Sequence, residues 1–302
     1  MVETYREAPL NMEVVCKILV EGIKKYLHDN HIEHVVIGLS GGIDSTVVAA
    51  LCRMSNAHVI GVSLPCSTNA DAENDSALAA GKEFCDSFKV VNIQEPYEVM
   101  EKFCTNASGI EKTPISQGNI KARLRMITLY DIASKVGGIV MDTDNLTEHF
   151  LGFWTLHGDD ADFNPIGGLW KHEVYDLAKY MKDNIYKDSK ALEQAIALMP
   201  TDGNGVKEGG DLAQIAPGKT YDDVDEILHA WVGLDSRIKD IVIKNYFDYG
   251  VFKKLCEKHG YETVEAVILR SVRSEFKRKQ RPFIIDVYRG LICEKDGKIL
   301  AS

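Results

Sequence analysis

The sequence has no Cys-x-x-Cys pair among its seven cysteines. That removes the commonest zinc and dithiol signatures, and it fits reduced thiols in a cytoplasmic protein better than disulfides. No apolar run approaches the roughly 20 residues of a membrane span. The first residues, Met-Val-Glu-Thr-Tyr-Arg-Glu, lack the apolar centre of a signal peptide, so the expectation is a soluble, cytoplasmic chain with no membrane partner. An excess of positive charge is missing too. Thirty-five Lys and Arg face 45 Asp and Glu, a formal net charge of −10, which argues against nucleic-acid binding, since that needs a basic face. No repeat or low-complexity tract interrupts the 302 residues. With 45% hydrophobic residues the chain can bury a full core, and no linker clearly divides it, so residues 1–282 read as one α/β unit followed by a tail, 283–302.

What is present begins with Val35-Val36-Ile37-Gly38-Leu39-Ser40-Gly41-Gly42-Ile43-Asp44-Ser45-Thr46. An apolar run reads as a buried strand, Ser-Gly-Gly as a tight turn, and the continuation to Cys52 as a helix. Backbone N–H groups and the helix dipole converge at such a corner and make an anion site. Glycine lets the backbone come close to a phosphate. The loop lacks the lysine of a Walker A motif. It carries Asp44 instead, and a carboxylate beside phosphates calls for a cation between them. Mg²⁺ bridging Asp44 and a polyphosphate is the economical reading; an ordinary first-turn aspartate is the alternative.

Further strands are expected at 59–64, 89–93 and 139–142. Helices are expected from Asn11 to about 28, from about 76 to 86, at 96–104, 119–135 and 172–182, and at 222–231, 235–247, 249–259 and 262–275. Strands alternating with helices predict a doubly wound parallel sheet covered on both faces, with a helical C-terminal part. Ligands bind such sheets beyond the carboxyl ends of the strands, so Ser40 to Ser45, Pro65 and Asp142 to Asn145 should face one cleft. Residues 146–172 and 200–220 read as loop-rich.

Five motifs occur in order: Ser40-Gly-Gly-Ile-Asp-Ser45, Gly118-Asn-Ile-Lys-Ala-Arg-Leu-Arg-Met126, Thr143-Asp-Asn, Gly158-Asp-Asp-Ala-Asp162 and Asn164-Pro-Ile-Gly-Gly. Together they resemble the ammonia-dependent NAD synthetases, adenylating amidotransferases with a pyrophosphate-binding loop, over about residues 12–282. The resemblance implies a Rossmann-like fold of the adenine nucleotide alpha hydrolase type. It implies ATP as co-substrate, Mg²⁺ as cofactor, deamido-NAD and ammonia as the other substrates, and a homodimer. In that chemistry the nicotinate carboxylate attacks the α-phosphate of ATP, pyrophosphate leaves, and ammonia displaces AMP from the acyl-adenylate. No appended glutaminase region is apparent, so free ammonia or a separate partner would supply the nitrogen.

Carried over residue by residue, the resemblance places the ATP phosphates on Gly38, Leu39, Ser40, Gly41, Gly42, Ile43, Asp44 and Ser45. It adds Thr143, Lys171 and Thr201 as ATP contacts, Asp44 and Glu148 as metal ligands, and Asp44 and Lys171 as the catalytic pair. Arg123, Asp162 and Lys277 would contact deamido-NAD. Each has a plainer reading: Glu148 as a solvated acid, Thr143 or Asp144 as a helix cap, Arg123 and Arg125 as surface arginines. Arg125, two positions from Arg123, should point elsewhere on its helix. His149 and His157 read as structural.

Two departures stand out. Where the family reads Thr-Lys-Tyr-Gly-Asp, this chain reads Thr155-Leu156-His157-Gly158-Asp159, and Phe276 replaces a histidine before Lys277. The acidic loop is also one residue shorter. Losing one charge-assisted bond to an anionic substrate costs about 1–3 kcal/mol. His157 or Lys207 could supply the charge, or the acceptor could differ, nicotinate mononucleotide being one candidate. A non-catalytic nucleotide-binding scaffold is a third reading, disfavoured by the presence of Asp44, Glu148 and Lys171 together.

Overall fold

Four strands and the helices between them alternate as the sequence predicts, and they assemble into a parallel sheet. The computed structural model describes residues 10–67, 69–198, 210–245, 247–248 and 250–278. Helix α1 (Met12–Asp29) starts at Asn11, whose side chain accepts from the N–H groups of Glu13 and Val14. Then follow β1 (His34–Gly38), α2 (Ile43–Met54), β2 (His58–Ser63), α3 (Asp71–Phe84), β3 (Ser87–Val90), α4 (Gln94–Ser108), α5 (Pro114–Val136) and β4 (Ile139–Met141).

The strand order is β3-β2-β1-β4, all parallel. The chain winds outward from β1 to β3, then crosses back to place β4 on the other side of β1. The switch therefore falls between β1 and β4, where a crevice must open at their carboxyl ends.

Side chains of β1 alternate between two cores. Val35 and Ile37 pack with α1, α2, α3 and two later helices, α7 (Lys171–Asn184) and α8 (Lys190–Ala197). Val36 packs with Tyr97 of α4 and Ala133 of α5. Burial on both faces is why this strand reads as a continuous apolar run.

Boundaries moved where caps outweigh periodicity. Helix α5 begins at Pro114, five residues before the expected start, because Thr113 and Ser116 form a capping box and Pro occupies the first turn. Strand β3 ends at Val90, while Ile93 N still donates to Pro65 O at 2.9 Å. The segment read as loop contains α6 (Leu146–Leu151), again set by a capping box, between Asn145 and Glu148.

The C-terminal part is helical: α9 (Gly210–Ile215), α10 (Tyr221–Val232), α11 (Ser236–Lys244), α12 (Val251–His259), α13 (Tyr261–Arg273) and α14 (Glu275–Arg278). It has its own apolar cluster, including Val224, Ile227, Trp231, Phe252 and Val264, joined to Leu151 of α6 and Trp170. Those two residues tie the helical part to the segment that follows β4. The tail beyond residue 282 lies outside the described residues. None of the described helices is long and apolar enough to cross a membrane.

Candidate functional site

The loop after β1 is shaped by its neighbours. Gly41 has φ +87°, and a Cβ there would sit 2.1 Å from the carbonyl oxygen of Glu73 at the start of α3. Only glycine satisfies both conditions. Ser76 Oγ donates to Gly41 O at 2.8 Å and holds the turn against α3. Gly42 occupies the N-cap of α2 with no side-chain cap. The first-turn N–H groups of α2 are thus left for an external acceptor, at the positive end of a 12-residue helix. Ser40 Oγ and Ser45 Oγ lie 3.2 Å apart beside them.

Asp44 projects from the first turn of α2 and meets the segment after β4. Asn145 Nδ2 donates to Asp44 Oδ1 at 2.9 Å. The Lys171 ammonium, at the first position of α7, forms an ion pair with Asp44 and a second with Glu148 at 3.1 Å. Lys171 is 3% exposed. Burial pulls its pKa down, but the Asp44 and Glu148 carboxylates more than offset this and hold it well above the ordinary lysine value. Burial pushes Glu148 up to about 7, with Asp44 adding repulsion and Lys171 opposing both. Asp144, beside them, is raised well above the carboxylate range by burial and by Asp142 and Glu148.

These groups line a cavity of about 500 Å³ over the β1/β4 switch. Of the residues expected from the sequence, Gly38, Leu39, Ser40, Gly42, Ile43, Asp44, Ser45, Thr143, Glu148, Lys171 and Lys277 line it. Gly41 shapes the turn from behind. Thr201 and Lys207 fall outside the described residues.

Arg123 and Asp162 are placed elsewhere. Arg123 is exposed, and its guanidinium donates to Leu156 O at 3.1 Å and Asn119 O at 3.4 Å. The Asp162 carboxylate accepts from Val140 N at 2.9 Å and from Tyr130 Oη at 3.1 Å, which braces β4. His157 is exposed, with φ +56°, and does not line the cavity.

Arg125 does line it. Its Nε donates to Leu64 O at 3.1 Å, and burial lowers its pKa. The signal was helical periodicity: Gly118 and Ala122 are buried, and position 125 follows them at i+7 and i+3 on the same face. Asp144 was also missed. Asn145, not Asp144, caps α6, so the Asp144 carboxylate is left at the cavity wall.

Two carboxylate oxygens, from α2 and α6, already converge on one cation, the Lys171 ammonium. Mg²⁺ needs only one or two protein carboxylates when phosphates and water complete its shell, so this donor set fits such an ion. Among the described residues no three His, Cys, Asp or Glu side chains converge as a ready-made metal cage. A site completed by a ligand is consistent with that.

A parallel sheet with an uncapped glycine loop at its switch point and a buried acid–lysine cluster beside it defines a nucleotide-binding α/β protein of the pyrophosphate-loop kind. The comparison with protein families agrees: the NAD synthase family matches residues 15–280. This chain belongs to the NAD synthase family. It is 31% identical over 278 residues to the NH(3)-dependent NAD(+) synthetase of Wolinella succinogenes, covering 90% of this chain and 95% of that protein. It is 33% identical over 223 residues to the protein of that name from Carboxydothermus hydrogenoformans, covering 72% and 86%. Among solved structures it superposes on the NMN synthetase of Francisella tularensis with a TM-score of 0.72 at 25% identity, covering 92% of this chain and all of that one. It superposes on the NH3-dependent NAD synthetase of Campylobacter jejuni with a TM-score of 0.66, also at 25% identity and with the same coverage.

Proposed function

We propose that this protein amidates deamido-NAD with ammonia at the expense of ATP, releasing NAD, AMP and pyrophosphate. The observation that carries the reading is the convergence of Asp44, Glu148 and Lys171 on the N-terminus of α2, in a chain of this family. The uncapped N–H groups of α2 and the Ser40 and Ser45 hydroxyls hold the departing β- and γ-phosphates. Lys171 supplies positive charge where the bond between the α-phosphorus and its bridging oxygen breaks. Asp44 and Glu148 hold Mg²⁺, whose contribution is to neutralise phosphate charge. Asn145 orients Asp44 for this through the hydrogen bond to Oδ1. Thr143, Arg125 and Lys277 all line the cavity; we assign the first two to the nucleotide and Lys277 to the acceptor. No protein nucleophile is needed, because the acceptor's own carboxylate attacks.

The protein works as one unit over residues 1–282, in the cytoplasm, as a homodimer. Free thiols at the described cysteines suit a reducing compartment. Apolar side chains left exposed on α1 (Ile18, 64%) and on α4 and α5 (Phe103, 66%; Ile115, 73%) suit a second copy. Trp154 does not belong to that surface: it is 6% exposed within a single chain.

A second acceptor, nicotinate mononucleotide, is favoured by one observation. The NMN synthetase of Francisella tularensis superposes with a TM-score of 0.72, and this agrees with the resemblance, in which Leu156 and Phe276 stand in place of basic residues that would meet a dinucleotide.

The test is direct. Purified protein with ATP, Mg²⁺ and ammonium should release pyrophosphate and AMP in equal amounts with deamido-NAD. Higher kcat/KM on the mononucleotide would make that the acceptor. Absence of AMP and pyrophosphate with both would remove the proposal.

A further inference from the structure

Four cationic side chains line the cavity among the described residues: Arg125, Lys171, Arg270 and Lys277. Three have been placed. Lys171 is engaged by Asp44 and Glu148. Arg125 lies at the end of β2, on Leu64 O. The Lys277 ammonium donates to Gly152 O at 2.7 Å and to Trp154 O. Arg270 stands outside every motif read from the sequence.

We propose that Arg270 is a phosphate-binding, specificity-determining residue for the acceptor nucleotide, standing in for the cation that Leu156 does not provide. The inference rests on the nicotinate-nucleotide reading above and names the group that holds the acceptor's 5′-phosphate. Arg270 lies on α13, whose Val264, Val267 and Ile268 are fully buried, so packing fixes the backbone that carries it. Its Nε donates to Leu151 O at 2.8 Å. Its guanidinium carbon lies 4.8 Å from the centroid of the Phe153 ring. The carbonyl and the ring together orient the plane of the fork, and an oriented guanidinium is suited to two-point recognition of phosphate.

A second observation at the same wall also calls for an acceptor. Trp154 is 6% exposed, lines the cavity, and its Nε1–H finds no partner. A buried N–H of this kind is costly unless something accepts from it. The nearby acids are already engaged: Asp159 accepts from Thr155 N at 2.6 Å and Asp160 from His157 N at 3.1 Å.

The experiment uses the full chain and measures equilibrium binding by calorimetry, so it does not depend on turnover. The probes are nicotinate mononucleotide, nicotinate riboside, which lacks the phosphate, and ATP. Arg270→Leu should weaken the mononucleotide roughly 10- to 100-fold, leave ATP within about threefold, and leave the riboside as in the parent protein. Arg270→Lys, which keeps the charge without the fork, should fall between, and it serves as the second variant if the leucine protein is misfolded by circular dichroism. Equal losses for mononucleotide and riboside in both variants, or no loss, would overturn the assignment. Failure of the parent protein to turn over any acceptor would remove the catalytic reading and leave this binding comparison intact.

Discussion

Asp225 on α10 and Thr147 on α6 share a 2.5 Å hydrogen bond across 78 residues of sequence. The other oxygen of the same carboxylate accepts from His172 N at 3.0 Å and from His172 Nδ1 at 2.9 Å. Thr147 Oγ1 in turn accepts from Lys171 N at 2.9 Å. One buried carboxylate, 1% exposed, therefore fixes the residue before Lys171's partner Glu148 and the residue after Lys171 itself. Through this side chain the C-terminal helix α10 bears on both α6 and α7, which carry Glu148 and Lys171 of the acid–lysine cluster.

Asp225→Asn keeps the volume but turns one acceptor into a donor facing groups that donate. The expected cost is about 1–3 kcal/mol in stability, read as a lower Tm. kcat should fall along with it, while the KM for ATP changes less. Thr147→Ser, which keeps the hydroxyl, should stay near the parent protein. An unchanged kcat in Asp225→Asn would separate this carboxylate from the site.

The pH dependence follows from Glu148. Its folded pKa is about 7 against an ordinary 4.5, because burial and Asp44 disfavour the charge. The folded state thus keeps a proton that the unfolded state has released, so this group's contribution to stability falls as pH rises from about 4.5 through 7. In metal-free protein, Glu148→Gln should flatten that part of the stability curve. Under the proposal that Glu148 ligates Mg²⁺, the ion would need the deprotonated carboxylate, so its stabilising effect on the parent protein should grow across the same interval. Thermal melts at pH 5, 6, 7 and 8, with and without Mg²⁺, give both readings.

Gly41→Ala places a methyl 2.1 Å from Glu73 O at φ +87°. The loop must move, at a cost of about 2–4 kcal/mol. ATP affinity should drop with the Tm. Gly109→Ala is the comparison: that residue also has positive φ, at +65°, but nothing lies within 4 Å of its Cβ. It should lose stability and keep its ATP affinity.

The two arginines of α5 make a paired test. Arg123→Ala removes an exposed side chain that bonds two backbone carbonyls and does not itself line the cavity, so KM values should stay within about twofold. Arg125→Ala removes a cavity-lining cation and strips Leu64 O of a donor. Its substrate KM should rise at least tenfold. The reverse ranking in steady-state kinetics would return the role to Arg123.

Much of the scaffold was legible without coordinates because it is local. The β1 run, the Ser-Gly-Gly turn and the first helical turn after it are contiguous, and their chemistry follows from backbone permissiveness and the helix dipole. The C-terminal helices were legible for the same reason, through an apolar period of 3.6. The start of α5 and the whole of the short α6 are set by capping boxes, which hydrophobic period does not record, so the one is expected five residues late and the other as loop.

The sequence by itself determined the fold class, the anion-binding corner and the presence of Asp44, Glu148 and Lys171. Only the tertiary structure decided which side chains meet. It turned Arg125 inward and Arg123 outward, spent Asp162 on bracing β4, and brought Arg270 to the cavity from a helix with no motif. The physical reason is that a charge acts through distance and burial. Both are set by how distant elements pack, and spacing along the chain records neither.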